Sequence, residues 1–236
     1  MSIDPAAASK QAAAWSAVYR HINSGMTVGL GSGSTSLFVV RALAERIGRE
    51  KLSLRGCIAT SAETAALARE LGIDVVEELD PRFLPLDVTI DGADEADANL
   101  NLIKGGGGAS MREKLVALAS NKRIIVVHKA KRVATLGLTF PLPIVVIPYG
   151  WRETAKRVEQ VAGRAAALRV RHGHTFVTDD GLYILDLVPG PIPDPAAFDH
   201  ALKQITGVVD VGMFIGIANL LVVGHEDGRV EEFEAA

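Results

Sequence analysis

Short apolar runs, each closed by a loop rich in glycine or acid and followed by a helical segment, constrain this chain more than any other feature. The first run, 26–30, leads into Gly29-Leu30-Gly31-Ser32-Gly33-Ser34-Thr35-Ser36, after which Leu37, Val40, Leu43 and Ile47 recur with helical spacing. Strand, glycine loop and helix in that order form the first half of a βαβ unit. The alternation continues with strands at 54–60, 73–76, 86–90 and 123–128 and helices at 62–71 and 111–120. These strands are apolar throughout rather than at every second residue, so both of their faces must be covered. The expectation is an α/β fold: a mostly parallel, Rossmann-like sheet with helices on both faces.

A helix over 6–22 precedes the first strand, with Asp4 as its cap and Pro5 at its first position. Past Gly137 the texture changes. Phe140-Pro141-Leu142-Pro143 reads as a connector, 144–147 as a strand and 151–162 as a helix. Strand candidates follow at 167–171, 175–178 and 182–187, with Asp179-Asp180-Gly181 as the turn that makes the last two a hairpin. Asp194-Pro195 then opens a helix running to Ile205. This β-α-β-β-α-β order predicts a smaller α+β, ferredoxin-like domain. The segments 220–223 and 229–233 are expected to return to the first sheet. The predicted division is therefore an α/β catalytic domain of 1–138 and 208–236 and a small domain of 139–207.

Charge narrows the partners. With 25 basic and 28 acidic residues the net charge is −3, so no broad positive field exists for nucleic acid and any anion site must be local. No apolar stretch approaches the roughly 20 residues of a membrane span. Met1-Ser2-Ile3-Asp4-Pro5 lacks the basic start and apolar core of a signal peptide. Cys57 is the single cysteine and excludes an intramolecular disulfide, which suits a reducing, cytoplasmic setting. It has no histidine or basic neighbour in sequence and reads as a packed strand residue, not a catalytic thiol.

Three stretches are candidates for chemistry. The loop at 29–36 offers backbone amides, a helix N-terminus and the hydroxyls of Ser32, Ser34 and Thr35 to a phosphate; its plainer reading is a tight, capped turn. It is neither a Walker loop, having no lysine before Thr35, nor a dinucleotide fingerprint, whose third glycine falls on Ser34. Asp91 and Asp94 follow the end of a buried strand, where acids can move protons or hold sugar hydroxyls, or simply break a helix. Asp91-x-x-Asp94-Glu95-x-Asp97 lacks the order of a calcium loop. The third stretch is Lys104-Gly105-Gly106-Gly107-Gly108-Ala109-Ser110-Met111-Arg112-Glu113-Lys114. Four glycines in a row carry a large ordering cost and suit a backbone cradle for an oxyanion, with Lys104 at its mouth. Glu113 is ambiguous, because Ser110-Met111-Arg112-Glu113 also matches a capping box. His172 and His174 would share a strand face but have no further ligand beside them, and Lys129, Lys131 and Arg132 form a small basic cluster after the strand 123–128.

Taken together, GLGSGSTS, DGADE and KGGGGASMREK, in this order and spacing, closely resemble type A ribose-5-phosphate isomerase. Lys10 before Trp15, the segment FPLPIVVIP and Val177-Thr178-Asp179-Asp180-Gly181 extend the likeness over almost the whole chain. The resemblance implies aldose–ketose isomerisation of ribose 5-phosphate without metal or organic cofactor, on a two-domain α/β fold that forms a homo-oligomer, a dimer first. By motif it makes Glu113 the base that moves a proton between C2 and C1 through a cis-enediol(ate). Lys104, Gly105, Gly106 and Gly107 would supply donors to the enediolate oxygens. Asp91, Gly92, Ala93 and Asp94 would contact the sugar, with the two acids assisting ring opening. Ser32, Gly33, Ser34, Thr35 and Lys131 would bind substrate, chiefly its phosphate, with Lys10 at the same end. Ala130-Lys131 stands where a Ser-Lys pair is common in the family, and the segment from Gly212 to Asn219 lacks a charged residue often seen there. An amino-sugar phosphate deaminase or a lactonase would lack the combined KGGGG…REK pattern. A sugar-phosphate sensor would not need Asp91, Asp94, Lys104 and Glu113, and no basic helix-turn-helix is appended.

Overall fold

The computed structural model describes residues 5–235. In chain order its elements are α1 (Pro5–His21), β1 (Thr27–Leu30), α2 (Gly33–Glu50), β2 (Gly56–Ala59), α3 (Ala62–Glu70), β3 (Leu86–Gly92), β4 (Glu95–Ala96), β5 (Leu102–Ile103), α4 (Ser110–Leu118) and β6 (Ser120–His128). They continue as β7 (Leu142–Val146), α5 (Trp151–Ala162), β8 (Ala166–Leu168), β9 (Val170–Arg171), β10 (His174–Thr175), β11 (Tyr183–Leu187), α6 (Pro195–Lys203), β12 (Val208–Val211), β13 (Met213–Phe214), β14 (Leu220–Gly224) and β15 (Val230–Glu234). The expected cap at Asp4 lies outside the described residues. The chain divides into two compact units, one of 5–93, 112–132 and 217–235, the other of 94–111 and 133–216. Relative to the boundaries expected from sequence, 94–111, 133–138 and 208–216 group with the second unit.

In the first unit the strands lie in the order β15-β14-β6-β3-β1-β2. All neighbours run parallel except β15, which returns antiparallel along β14. Every residue of β1 and β14 is buried, as their unbroken apolar pattern demanded. On one face α1, α2 and α3 bring Ala13, Ala17, Val40, Leu43 and Ala65 onto Val28, Leu30, Val88 and Ile90. Each of the larger aliphatics contributes roughly 1.5–3 kcal/mol through burial. On the other face α4 packs Val116 against Ile58 and Leu86. Gly29 permits that approach, since a Cβ there would stand 2.7 Å from Val116. The strand expected at 73–76 shrinks to one bridge between Val76 and Ile58. The Ile73 amide donates to Ala68 O at 2.9 Å, so the first half of the run is used to end α3.

The second unit holds an antiparallel sheet in the order β12-β7-β11-β8. Ala155 and Val158 of α5 and Leu202 of α6 pack with Ile144, Val146, Leu185 and Leu187 in its core. The connection β7-α5-β8-β11-α6-β12 is the expected β-α-β-β-α-β. Local backbone chemistry sets the ends of the two helices: Gly163 closes α5 by donating to Glu159 O at 2.8 Å, and, at the start expected from Asp194-Pro195, the Asp194 carboxylate accepts from the Ala197 amide at 3.0 Å. The supposed connector 140–143 already contains the start of β7. Pro143 fits there because its carbonyl accepts from the Gly212 amide at 2.7 Å and no donor is asked of it. The turn expected at 179–181 forms, the Gly181 amide donating to Thr178 O and the Thr178 amide to Leu182 O, both at 2.9 Å, but 175–178 does not pair with β11 as a strand and the ladder is closed elsewhere. β10 pairs with β9, Arg171 opposite His174, so the two-residue turn is His172-Gly173, with φ of 50° and 79° as a type I′ turn requires. His172 is therefore a turn residue and does not share a strand face with His174. No helix of the described residues is long and apolar enough to cross a membrane.

Candidate active site

In the first unit, the loops after β1, β3 and β6 emerge from the carboxyl ends of three adjacent parallel strands, where open α/β sheets bind ligands. Along this edge lie Ser32 and the first residues of α2, Gly33, Ser34 and Thr35, then Asp91 and Gly92 at the end of β3 with Ala93 beyond them, then Lys131. Asp91, 4% exposed, ties the first two together. Its Oδ1 accepts from the Ser32 amide at 3.1 Å, the Ser36 hydroxyl at 3.2 Å and the Gly92 amide at 2.7 Å. Gly31 is glycine because of it: a Cβ there would stand 1.9 Å from that oxygen. The loop thus wraps a carboxylate of its own chain. The Ser32 hydroxyl is engaged by Thr60 Oγ1 at 2.6 Å. Ser34 is exposed and accepts from Lys10 Nζ at 3.0 Å, while Thr35 lies against Gly92. α2 begins at Gly33, so its first-turn amides and positive dipole end face this loop.

The basic turn after β6 divides. Arg132 stacks on the Phe233 ring, 3.9 Å from its centroid, whereas Lys131 is half-buried and Lys129 exposed. α4 leads straight into β6, which places its first turn at the carboxyl end of the parallel strands. Glu113 in that turn is 6% exposed and Lys114 8%. Ser110 is 1% exposed and its hydroxyl makes no hydrogen bond, so the serine half of the capping box is not formed.

In the second unit Lys104 is 3% exposed, its Nζ 5.4 Å from the centre of the Phe214 ring. The Lys104 amide donates to Gly212 O at 2.8 Å. The glycines that follow do not share one purpose. A Cβ on Gly106 would stand 2.7 Å from Phe140 and 2.9 Å from Asp94, and the Gly106 amide donates to Asp94 Oδ2 at 2.8 Å. Gly107 is exposed, with open space where its Cβ would be, and its amide has no partner among the described residues. The structure thus brings Asp94 onto the glycine run and assigns the Gly106 amide to it, leaving Gly107 the outward donor.

Two further acids of this stretch have local tasks. Buried Glu95 accepts from the amides of Gly137, Thr139 and Phe140 at 2.6, 2.7 and 2.8 Å and from the Thr139 hydroxyl. Asp97 closes a turn by accepting from the amides of Asn99 and Asn101. Among the described residues no group of three or more His, Cys, Asp or Glu is arranged to hold a metal ion. Cys57 is 2% exposed, and burial, helped by nearby Asp74, pushes its thiol up to about 12. The sequence reading overlooked Arg169 and Arg171, which donate to carbonyls of the glycine run. The signal was available: two arginines at alternate positions of a strand share a face.

The first unit is an α/β sheet with an acid-anchored glycine loop and a helix N-terminus at its carboxyl edge, features suited to a small anionic ligand. A family model described as Ribose 5-phosphate isomerase A (phosphoriboisomerase A) matches residues 56–228. Ribose-5-phosphate isomerase A of Ruegeria sp. (strain TM1040) is 48% identical over 216 residues, 89% of this chain and 81% of the relative. That of Jannaschia sp. (strain CCS1) is 46% identical over 235 residues, 97% of this chain and 88% of the relative. Among solved structures, ribose 5-phosphate isomerase from Plasmodium falciparum superposes with a TM-score of 0.89 at 36% identity, covering 97% of this chain and 98% of that one. A D-ribose-5-phosphate isomerase in complex with phospho-erythronic acid gives 0.89 at 35% identity, covering 95% and 97%. The chain belongs to the ribose 5-phosphate isomerase A family.

Proposed function

We propose that this chain interconverts D-ribose 5-phosphate and D-ribulose 5-phosphate with Glu113 as the proton-carrying base. The observation that carries the reading is the burial of two opposite charges, Lys104 and Glu113, in one glycine-rich stretch. Kept from bulk water, a carboxylate and an ammonium act on a substrate's charge far more strongly than they would at the surface.

In the open-chain aldose, the Glu113 carboxylate takes the C2 proton; the C–H electron pair becomes the C1=C2 bond and the carbonyl pair moves onto O1. The proton of the C2 hydroxyl passes to O1. As the pair on O2 re-forms a carbonyl, the C1=C2 pair recovers the proton from Glu113 at C1, which yields the ketose. Lys104 and the outward Gly107 amide stabilise the enediolate oxygens. Asp91 and Asp94 hold sugar hydroxyls and assist opening of the furanose ring. The Ser34 and Thr35 hydroxyls, the first amides of α2, Lys10 and Lys131 take the phosphate. The same reading makes the enzyme a cytoplasmic homodimer that needs no metal or organic cofactor, with 139–207 as its small domain.

The test follows ketose formation by the purified chain from ribose 5-phosphate, with ribose, allose 6-phosphate and glucosamine 6-phosphate as comparisons. Conversion of ribose 5-phosphate alone, or far ahead of the others, is expected. Absence of ketose from ribose 5-phosphate, or preference for an amino-sugar phosphate, would overturn the assignment.

A further inference from the structure

The glycine run owes its shape to two arginines that lie far from it in sequence. Arg169, 8% exposed, is gripped by Asp186 through two parallel bonds, Nε to Oδ2 at 2.8 Å and Nη2 to Oδ1. Its remaining nitrogen, Nη1, donates to Gly105 O at 2.7 Å and to Gly106 O at 3.3 Å. Arg171 then takes over along the chain, its Nη2 donating to Gly106 O at 2.8 Å and Gly107 O at 3.0 Å. Phe176 seats this second arginine, with the guanidinium carbon 4.2 Å from the ring centre. The same ring presses on Gly108, where a Cβ would stand 2.4 Å from it.

Three successive carbonyls are therefore held by guanidinium groups. In a trans peptide the carbonyl and the following N–H point in opposite directions, so holding one aims the other. Fixing Gly105 O turns the Gly106 N–H the other way, and there it meets Asp94 Oδ2 at 2.8 Å. Fixing Gly106 O in turn directs the Gly107 N–H away from the arginines, and Gly107 is exposed, its amide without a partner among the described residues. Unrestrained, a glycine run would spread its amides over many directions, at an ordering cost of about 1–2 kcal/mol per residue.

We propose that Arg169 and Arg171 are positioning residues, held by Asp186 and Phe176, whose task is to aim the Gly107 amide at the oxyanion of the reacting sugar. They touch no substrate atom; they act through the loop. The proposal rests on the reading that this run serves an enediolate, but its structural half stands apart from that reading.

Two variants test it. Arg171→Ala removes an exposed side chain and two bonds to the loop without stranding a buried charge. Arg169→Lys keeps a cation beside Asp186 but loses the fork that reaches both the acid and the loop. Hydrogen exchange of the free protein is read first: the hydrogen-bonded amides of Gly106 and Gly108 are expected to exchange about 10-fold faster or more in Arg171→Ala, with the rest of the chain unchanged. Turnover is read next, per site competent to bind 4-phospho-D-erythronate. A misdirected donor lowers kcat roughly 10- to 100-fold with little change in KM, and Arg171→Lys restores part of it. A merely structural role would lower the number of competent sites and the melting temperature while leaving kcat per site intact. Unchanged loop exchange, or kcat per site within about twofold of the parent in both variants, overturns the proposal. Should the parent chain fail to isomerise ribose 5-phosphate, the functional reading falls, and the exchange result alone decides whether the arginines order the loop.

Discussion

Gly31→Ala places the account of the first glycine loop under direct strain. The added methyl would stand 1.9 Å from Asp91 Oδ1 and 2.1 Å from its Cγ. Ordinary contact requires the carboxylate to retreat by roughly 1.5 Å. Bonds now at 3.1, 3.2 and 2.7 Å to Ser32, Ser36 and Gly92 would then exceed hydrogen-bonding range. With about 1–1.5 kcal/mol lost for each, after the carboxylate is partly rehydrated, the expected destabilisation is about 3–5 kcal/mol. Equilibrium urea unfolding measures it, with Gly48→Ala as the comparison. Gly48 lies exposed in α2 with nothing near its missing Cβ, and its replacement should stabilise the chain by about 0.5–1 kcal/mol. The two changes are chemically identical, so their opposite signs isolate the carboxylate. A Gly31→Ala protein within about 1 kcal/mol of the parent would mean that Asp91 does not hold the loop, and the reasoning would fail.

Other outcomes follow from individual groups. The Cys57 thiol, raised to about 12 by burial and 2% exposed, should resist aromatic disulfide reagents in the folded protein and react fully in denaturant; stoichiometric labelling under native conditions would contradict its packing. Asp87 is held below the usual carboxylate range chiefly by the Thr27 amide, 2.7 Å from Oδ2, then by the Thr27 hydroxyl and Arg55. Its folded-state pKa lies below the unfolded one, so its stabilisation is present above about pH 4 and is lost as pH falls through the folded value. Asp87→Asn should flatten the acid limb of stability against pH, and an unchanged limb would show that the pairing of β1 with β3 does not depend on this charge. Exhaustive chelation should leave turnover unchanged, whereas loss restored by one divalent ion would show that the acids at 91–97 had been misunderstood.

Much of the fold was legible because its strands are buried on both faces and its helices carry marked ends. Asp194-Pro195 announces the start of α6 through local backbone chemistry, and Val40 and Leu43 fall on the buried stripe that helical spacing defines, whereas in α1 the spacing Ala12, Trp15, Tyr19 marks the half-exposed side and Ala13, Ala14, Ala17 and Val18 are the buried ones. What failed was pairing at long range. Asp179-Asp180-Gly181 does make its turn, yet the two-stranded ladder closes at His172-Gly173, because β11 is already occupied by β7 and β8. Strands of two residues such as β4, β5 and β13 are too short to carry any period. The candidate site was legible as a set of motifs but not as a division of labour. Glycines read as ligand cradles turn out in part to make room for the protein itself: Gly31 for Asp91, Gly106 for Asp94 and Phe140. The arginines that hold the glycine run could not be read from it, because the carbonyls they grip are contributed by every residue type alike.

The central claim concerns Glu113, and the direct measurement compares the parent chain with Glu113→Gln, which keeps the shape of the side chain and removes its basicity. Turnover of ribose 5-phosphate and binding of 4-phospho-D-erythronate are measured on the same preparations. The account predicts a loss of kcat of about 10²- to 10⁴-fold, the usual share of a positioned base, with affinity for the phosphorylated acid largely retained. A variant that turns over within about tenfold of the parent would remove Glu113 from the reaction and return it to the role of a buried residue in the first turn of α4.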